Sequence, residues 1–135
     1  QCVLSHAGGR SLYDMILTGK KVVPGISVAD VSGVAVPLPC RHCEAAPCAQ
    51  VCPSGAIRWT SEAGLVLVEE ERCVGCGGCI LVCPYGVLEQ HGSRVMTKCD
   101  LCVEMLKRGQ EPACVAGCPT GAIQFVSIEE SGTIR

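Results

Sequence analysis

The sequence predicts a small, loop-rich α+β fold assembled from tandem copies of one cysteine-bearing unit. Three observations carry this expectation. Thirteen cysteines occur in 135 residues, far above ordinary usage, and twelve of them fall into three runs that each close on Cys-Pro. The tail of the run repeats: Cys52-Pro53-Ser54-Gly55-Ala56-Ile57 matches Cys118-Pro119-Thr120-Gly121-Ala122-Ile123, and Cys83-Pro84-Tyr85-Gly86-Val87-Leu88 is a looser third copy. One Trp, two Tyr and one Phe are too few for apolar packing alone to hold a chain of this size. Whatever the cysteines bind must therefore form part of the core, and folding should be coupled to its assembly.

Along the chain, Val22 to Pro39 is nearly uncharged, with Asp30 its one ionisable residue. Pro24, Pro37, Pro39, Gly25 and Gly33 break it, so it reads as a loop and short strand covering the cysteine sites and not as a membrane span. Each Cys-Pro tail reads as a turn leading into a short apolar strand. After the first tail, Ile57–Thr60 and Leu65–Val68 flank Ser61-Glu62-Ala63-Gly64, the signature of a hairpin with a polar turn ending in glycine. Cys79–Cys83 begins a helical turn. Cys99–Arg108 is the best helix candidate, with mixed periodicity, basic residues in its last turn and Gly109 as a stop. Ile123–Ile128 reads as a terminal strand.

The spacing within the runs names the chemistry. They are Cys40-x2-Cys43-x4-Cys48-x3-Cys52-Pro53, Cys73-x2-Cys76-x2-Cys79-x3-Cys83-Pro84 and Cys99-x2-Cys102-x11-Cys114-x3-Cys118-Pro119. Three cysteines and a further one before proline is how bacterial ferredoxins hold [4Fe–4S] clusters. Disulfide frameworks spread their partners across loops instead of clustering them two and three residues apart, and no signal peptide opens the chain. Zinc sites use two separated Cys-x2-Cys pairs, without a third cysteine and Cys-Pro. The formal charge is −2, and each oxidised cluster with four thiolates adds roughly −2 more. An acidic holoprotein with no basic run or stacking aromatics is not a nucleic-acid binder. There is no nucleophile with its base, no dinucleotide fingerprint and no phosphate loop, since no Gly-Lys-Ser/Thr follows Gly77-Gly78-Cys79.

In a two-cluster ferredoxin the fourth cysteine of each motif ligates the other cluster. Applied here, Cys40, Cys43 and Cys48 take Cys83, while Cys73, Cys76 and Cys79 take Cys52. That closes an inner two-cluster domain over residues 40–90. Cys99, Cys102 and Cys114 need a fourth thiolate, and the remaining cysteine is Cys2. On this reading Cys118 belongs to a fourth cluster whose other ligands lie upstream of Gln1, in a stretch absent from the sequence. The alternative is that Cys2 is incidental and Cys118 closes its own motif. The first assignment makes three complete clusters, with residues 1–39 and 91–135 forming an outer domain.

The chain resembles the four-cluster polyferredoxin subunits of bacterial and archaeal redox complexes. These include the iron–sulfur subunits of molybdenum and tungsten oxidoreductases and the ferredoxin-like partners of formate dehydrogenases, hydrogenases and carbon monoxide dehydrogenase. The residues that carry the resemblance are Pro39-Cys40-Arg41-His42-Cys43 through Pro47-Cys48, and Cys52-Pro53-Ser54-Gly55-Ala56. Lys98-Cys99-Asp100-Leu101-Cys102, Pro112-Ala113-Cys114 and Cys118-Pro119-Thr120-Gly121-Ala122 carry it further. The departure is at the N-terminus, where only Cys2 stands for the first motif. The resemblance implies nested bacterial 2[4Fe–4S] ferredoxin-like domains around a pseudo-twofold axis, with clusters lined up between a catalytic subunit and an electron acceptor.

A non-catalytic electron-transfer subunit in a hetero-oligomer with a catalytic oxidoreductase is thus the leading expectation, in the cytoplasm by default. A free polyferredoxin shuttle is the second reading. An iron–sulfur sensor or structural module is the third, and it lacks an output domain. Among weaker signals, Gly75, Gly77 and Gly78 are close-approach positions beside the second motif. Arg41, Arg72 and Lys98 neighbour ligands, where they either tune cluster potentials or are solvated. His42 reads as a structural hydrogen-bonding residue, His6 and His91 as residues without a ligand pattern, and Trp59 as a packing or interface residue.

Overall fold

The computed structural model describes residues 1–8, 11–19, 22–60, 64–91 and 95–126. Its regular elements are α1 (Cys2–Ser5), α2 (Leu12–Thr18), β1 (Ser27–Val31), β2 (Val34–Leu38), α3 (Pro47–Gln50), β3 (Ile57–Thr60) and β4 (Leu65–Val68). A 3-10 turn follows at Glu70–Arg72, then α4 (Gly78–Val82), β5 (Glu89–His91), β6 (Val95–Thr97), α5 (Val103–Leu106) and α6 (Ala113–Ala116). Every helix is far below the length at which an isolated helix is stable in water, so tertiary contacts must hold each one.

The described strands form three separate antiparallel pairs, β1–β2, β3–β4 and β5–β6. The β3–β4 hairpin has the expected bounds and pairs Trp59 with Val66 and Thr60 with Leu65. Of the expected turn residues, positions 61–63 lie outside the described residues. The 22–39 segment is a full hairpin where a single short strand was expected. Ser32 and Gly33, both with positive φ, make its two-residue turn, and Asp30 Oδ1 accepts the Gly33 N–H at 3.0 Å. Ser27 Oγ donates to Glu89, tying β1 to β5.

Two expectations are corrected. The helix expected over Cys99–Arg108 starts only at Val103, because Leu101 (φ 57°) and Cys102 (φ 51°) turn through the left-handed region first. Its stop is as expected: the Gly109 N–H reaches Leu106 O at 2.9 Å and the Gln110 N–H reaches Met105 O at 3.0 Å, a Schellman pair. Of the terminal strand expected over Ile123–Ile128, residues 123–126 are irregular, and 127 and 128 lie outside the described residues. Helix α2 was not anticipated, although its signals are present. Ser11 and Asp14 form a reciprocal capping box, and Gly19 ends the helix in the left-handed conformation.

The core lies where α3, α4 and the β3–β4 hairpin meet. Ala46, Cys48, Ile57, Val66, Cys79, Leu88 and Met96 form it, with Cys52, Cys73 and Cys83 packed against it. Two of its seven buried members are thus cysteines, so the thiols sit inside the packing and not on a surface loop. Helices α1 and α6 pack together.

Candidate metal centres

Local geometry repeats from one cysteine run to the next. In the Cys-x2-Cys segments the residue before the second cysteine has positive φ: His42 at 47°, Gly75 at 68° and Leu101 at 57°. This turn aims backbone N–H groups at sulfur. The His42 N–H points at Cys40 Sγ from 3.5 Å, and the Leu101 N–H at Cys99 Sγ from 3.4 Å. A non-glycine residue held there costs on the order of 1–3 kcal/mol, and His42 and Leu101 both bear that strain. The third cysteine of each run occupies the second position of a short helix: Cys48 in α3, Cys79 in α4 and Cys114 in α6. The fourth follows about one helical turn later.

The Cys-Pro tails are one turn built three times. The N–H groups of Gly55, Gly86 and Gly121 return to the carbonyls of Cys52, Cys83 and Cys118 at 3.2, 3.3 and 3.3 Å. Each of these glycines has φ between 61° and 64°, and proline fixes the residue after the cysteine. The turn folds polar groups back onto sulfur. The Ser54 hydroxyl lies 3.6 Å from Cys52 Sγ, and the Thr120 hydroxyl lies 3.6 Å from Cys118 Sγ. Burial acts to raise the Cys52 pKa, but the N–H of Ile57, the Ser54 hydroxyl and the N–H of Ala56 outweigh it and the net shift is downward. The Thr120 hydroxyl, with the Ile123 N–H, lowers Cys118 to about 7.

The sulfurs come together in groups that cross between runs. Cys52 lines one pocket with Cys73, Cys76 and Cys79, and Ser54, Gly75, Gly77 and Met96 are among the other residues of its wall. Cys48 lies near Cys40 and Cys83; burial first, and then the Cys40 charge, raises its pKa. Cys43 closes the loop between Cys40 and Cys48 and is half-buried. Cys2, at the start of α1, lies near Cys99, while α1 packs on α6, which carries Cys114. Gly117 backs directly onto the Gln1 side chain there. Cys102 is buried, with its sulfur within 4.8 Å of the His6 ring.

These donors suit an iron–sulfur cluster. All thirteen cysteines are free thiols. Soft thiolates in close sets, with backbone N–H groups aimed at sulfur, are what such clusters use. Burial is the largest cause raising the pKa of Cys48, Cys79 and Cys99, so these thiols hold their protons until a metal displaces them.

Several side chains beside the ligands have roles that the sequence alone left open. His42 Nδ1 accepts the Val66 N–H at 3.0 Å, the structural hydrogen bond expected of it. Burial lowers its pKa to about 4, so the ring is neutral at pH 7. His6 was expected to lack a ligand pattern, but the fold brings its ring, Asp100 and Cys102 within 4.8 Å of one another. The His6–Asp100 contact is 3.2 Å, and Asp100 Oδ1 also accepts the Cys102 N–H at 2.9 Å. Only chain folding joins these residues, which is why spacing missed them. The Asp100 hydrogen bond is the largest cause raising the His6 pKa, to about 11, and His6 in turn is the largest cause lowering Cys2. Arg72 donates to the Ser54 carbonyl at 3.1 Å but is largely solvated, and Arg41 is exposed. Trp59 is 42% exposed, a surface residue more than a packed one. The side chain of His91 lies outside what the structure describes.

The chain belongs to the 4Fe-4S dicluster domain family, which matches residues 31–128. Its cofactor class is therefore the [4Fe–4S] cluster. An iron-sulfur protein of Rhodospirillum rubrum is 36% identical over 141 residues, spanning 95% of this chain and 73% of that protein. The electron transport protein HydN of Escherichia coli K12 is 38% identical over 138 residues, 90% of this chain and 75% of its own. The thiosulfate reductase electron transfer subunit PhsB of Salmonella typhi is 45% identical over 94 residues, 68% of this chain and 48% of its own. The chain thus spans about half the length of that reductase subunit. No helix among the described residues is long and apolar enough to cross a membrane.

Proposed function

We propose that this protein is a non-catalytic electron-transfer subunit. It conducts electrons through a series of [4Fe–4S] clusters between a catalytic oxidoreductase subunit, of the molybdenum or tungsten class, and an external donor or acceptor. The observation that carries the reading is the gathering of Cys52 with Cys73, Cys76 and Cys79 in one pocket. A fourth cysteine that crosses to the neighbouring run is the arrangement of a two-cluster ferredoxin.

When bound, each cluster supplies a one-electron redox couple. The protein's part is to hold thiolates, aim N–H groups at sulfur and set the surrounding charge. We assign one cluster to Cys40, Cys43, Cys48 and Cys83, a second to Cys73, Cys76, Cys79 and Cys52, and a third to Cys99, Cys102, Cys114 and Cys2. The nearness of Cys2 to Cys99 and the packing of α1 on α6 support the third. Cys118 is then left to a cluster whose other ligands are not among these thirteen cysteines. Residues 40–90 form the inner two-cluster domain in this scheme, and 1–39 with 91–135 the outer one. The names of HydN and PhsB support the electron-transfer role. The exposed apolar face of α2 supports a docked subunit over a free shuttle. A reducing compartment, by default the cytoplasm, suits thirteen unpaired thiols.

The test is iron, acid-labile sulfide and zinc per chain in anaerobically purified protein. About 12 iron with 12 sulfide is expected. About 8 iron would remove Cys2 from ligation, and stoichiometric zinc without sulfide would overturn the electron-transfer reading.

A further inference from the structure

Lys98 is 7% exposed and is the buried charged residue among the described residues. Its Nζ donates to the Val66 carbonyl and, at 2.9 Å, to the Cys99 carbonyl. Neither acceptor carries a charge, and among the described residues no carboxylate pairs with it. A buried ammonium whose partners are all neutral is costly unless an anion lies nearby to offset its desolvation.

The surroundings identify that anion. On one side His42, from within the Cys40–Cys43 loop, accepts the N–H of Val66, whose carbonyl takes Lys98. On the other side is Cys99 itself, in direct contact through its carbonyl. Lys98 lies close enough to Cys48 and Cys99 for its charge to act at both sulfurs. A cluster with four thiolates carries roughly two negative charges when oxidised and one more when reduced. Arg41 and Arg72 also neighbour ligands, but they are exposed, and solvent screens their fields.

We infer that Lys98 is a positioning residue shared by two cluster sites, its buried ammonium raising the reduction potentials of the clusters held by the Cys48 and Cys99 groups while it clamps the outer run onto β4. The inference rests on the ligand grouping proposed above. The cluster of Cys52, Cys73, Cys76 and Cys79 serves as the internal reference.

The experiment is an EPR-monitored redox titration of the full chain, purified anaerobically with its clusters, as wild type, Lys98→Gln and Lys98→Arg. Glutamine keeps hydrogen-bond donors without the charge, and arginine keeps both. In K98Q the reduced-to-oxidised ratio at a fixed applied potential is expected to fall about tenfold for two clusters, equal to about 59 mV for a one-electron couple. The reference cluster of Cys52, Cys73, Cys76 and Cys79 should hold its potential, and K98R should restore the other two. Iron lost from K98Q but retained in K98R also supports the assignment, because charge is what separates the two variants. Unchanged potentials in K98Q, an equal shift of every cluster, or a K98R variant that behaves as K98Q would overturn it. Wild-type iron content is measured on the same samples. Full iron with unmoved potentials sinks the role of Lys98 alone, whereas wild-type protein short of iron sinks the grouping beneath it.

Discussion

The Gly25 N–H donates to Cys2 Sγ across 3.3 Å. From the same position Gly25 presses on the ligand run at the other end of the chain: a Cβ there would sit 2.8 Å from the Lys98 carbonyl oxygen and 2.9 Å from Cys99 Cα. The segment leading into the β1–β2 hairpin therefore seats the first cysteine against the ninety-ninth residue, and it can do so only without a side chain.

Gly25→Ala should push these two strands of chain apart, since the atoms it meets are backbone and cannot rotate away. We expect the variant to keep the spectroscopic signature of the clusters assigned to Cys40–Cys83 and to lose that of the third, with about 4 fewer iron per chain. Full iron content in G25A would show that the close approach is not needed for cluster retention.

Cys2 and Cys118 should respond oppositely to serine substitution. C2S is expected to lose about 4 iron per chain, and C118S to retain the wild-type content. The reverse result would mean that Cys118 closes its own run. Iron and sulfide analysis of the two purified variants decides between them.

His42 and Val66 offer a test of the seam between the first run and the hairpin. His42→Ala leaves the buried Val66 N–H without its acceptor, a loss of about 1–3 kcal/mol. His42→Asn should preserve much of the stability, since asparagine tolerates the left-handed backbone found here and supplies a carbonyl acceptor. Cluster loss in denaturant, followed by visible absorbance, should therefore be fastest in H42A. Equal rates in H42A and H42N would contradict this account.

Helix α2 turns apolar groups outward. Leu12 is 58% and Ile16 70% exposed, with Met15 the buried residue of the helix. The double variant Leu12→Gln, Ile16→Gln should change stability by no more than about 0.5 kcal/mol per site in chemical denaturation. A large loss of stability instead would place this face inside the packing.

Much of the site was legible in the sequence because cluster ligation is local: three cysteines within a few residues must turn around one centre. The β3–β4 hairpin was legible for a similar reason, since Gly64 and two short apolar runs are neighbours. Contacts made by chain return were not. His6 meets Asp100, and Lys98 meets the Val66 carbonyl, only because the fold brings them together. Positive φ was visible at Gly75 and hidden at His42 and Leu101, where neither residue type signals the conformation that the same turn imposes. The late start of the helix after Cys102 is hidden for that reason, whereas the capping pair Ser11 and Asp14 of α2 stands openly in the sequence.

Cys48 and Cys79 occupy core positions that leucine or valine would fill in an ordinary domain of this size. Stripping a cluster therefore does more than switch off a redox couple; it leaves a hole lined by protonated thiols where the hairpin and two short helices should meet. Oxygen, by attacking the inorganic core, attacks the tertiary structure as well. The working lifetime of this protein in air should be the lifetime of its iron, and its damaged form should pass to proteases without persisting as an empty shell.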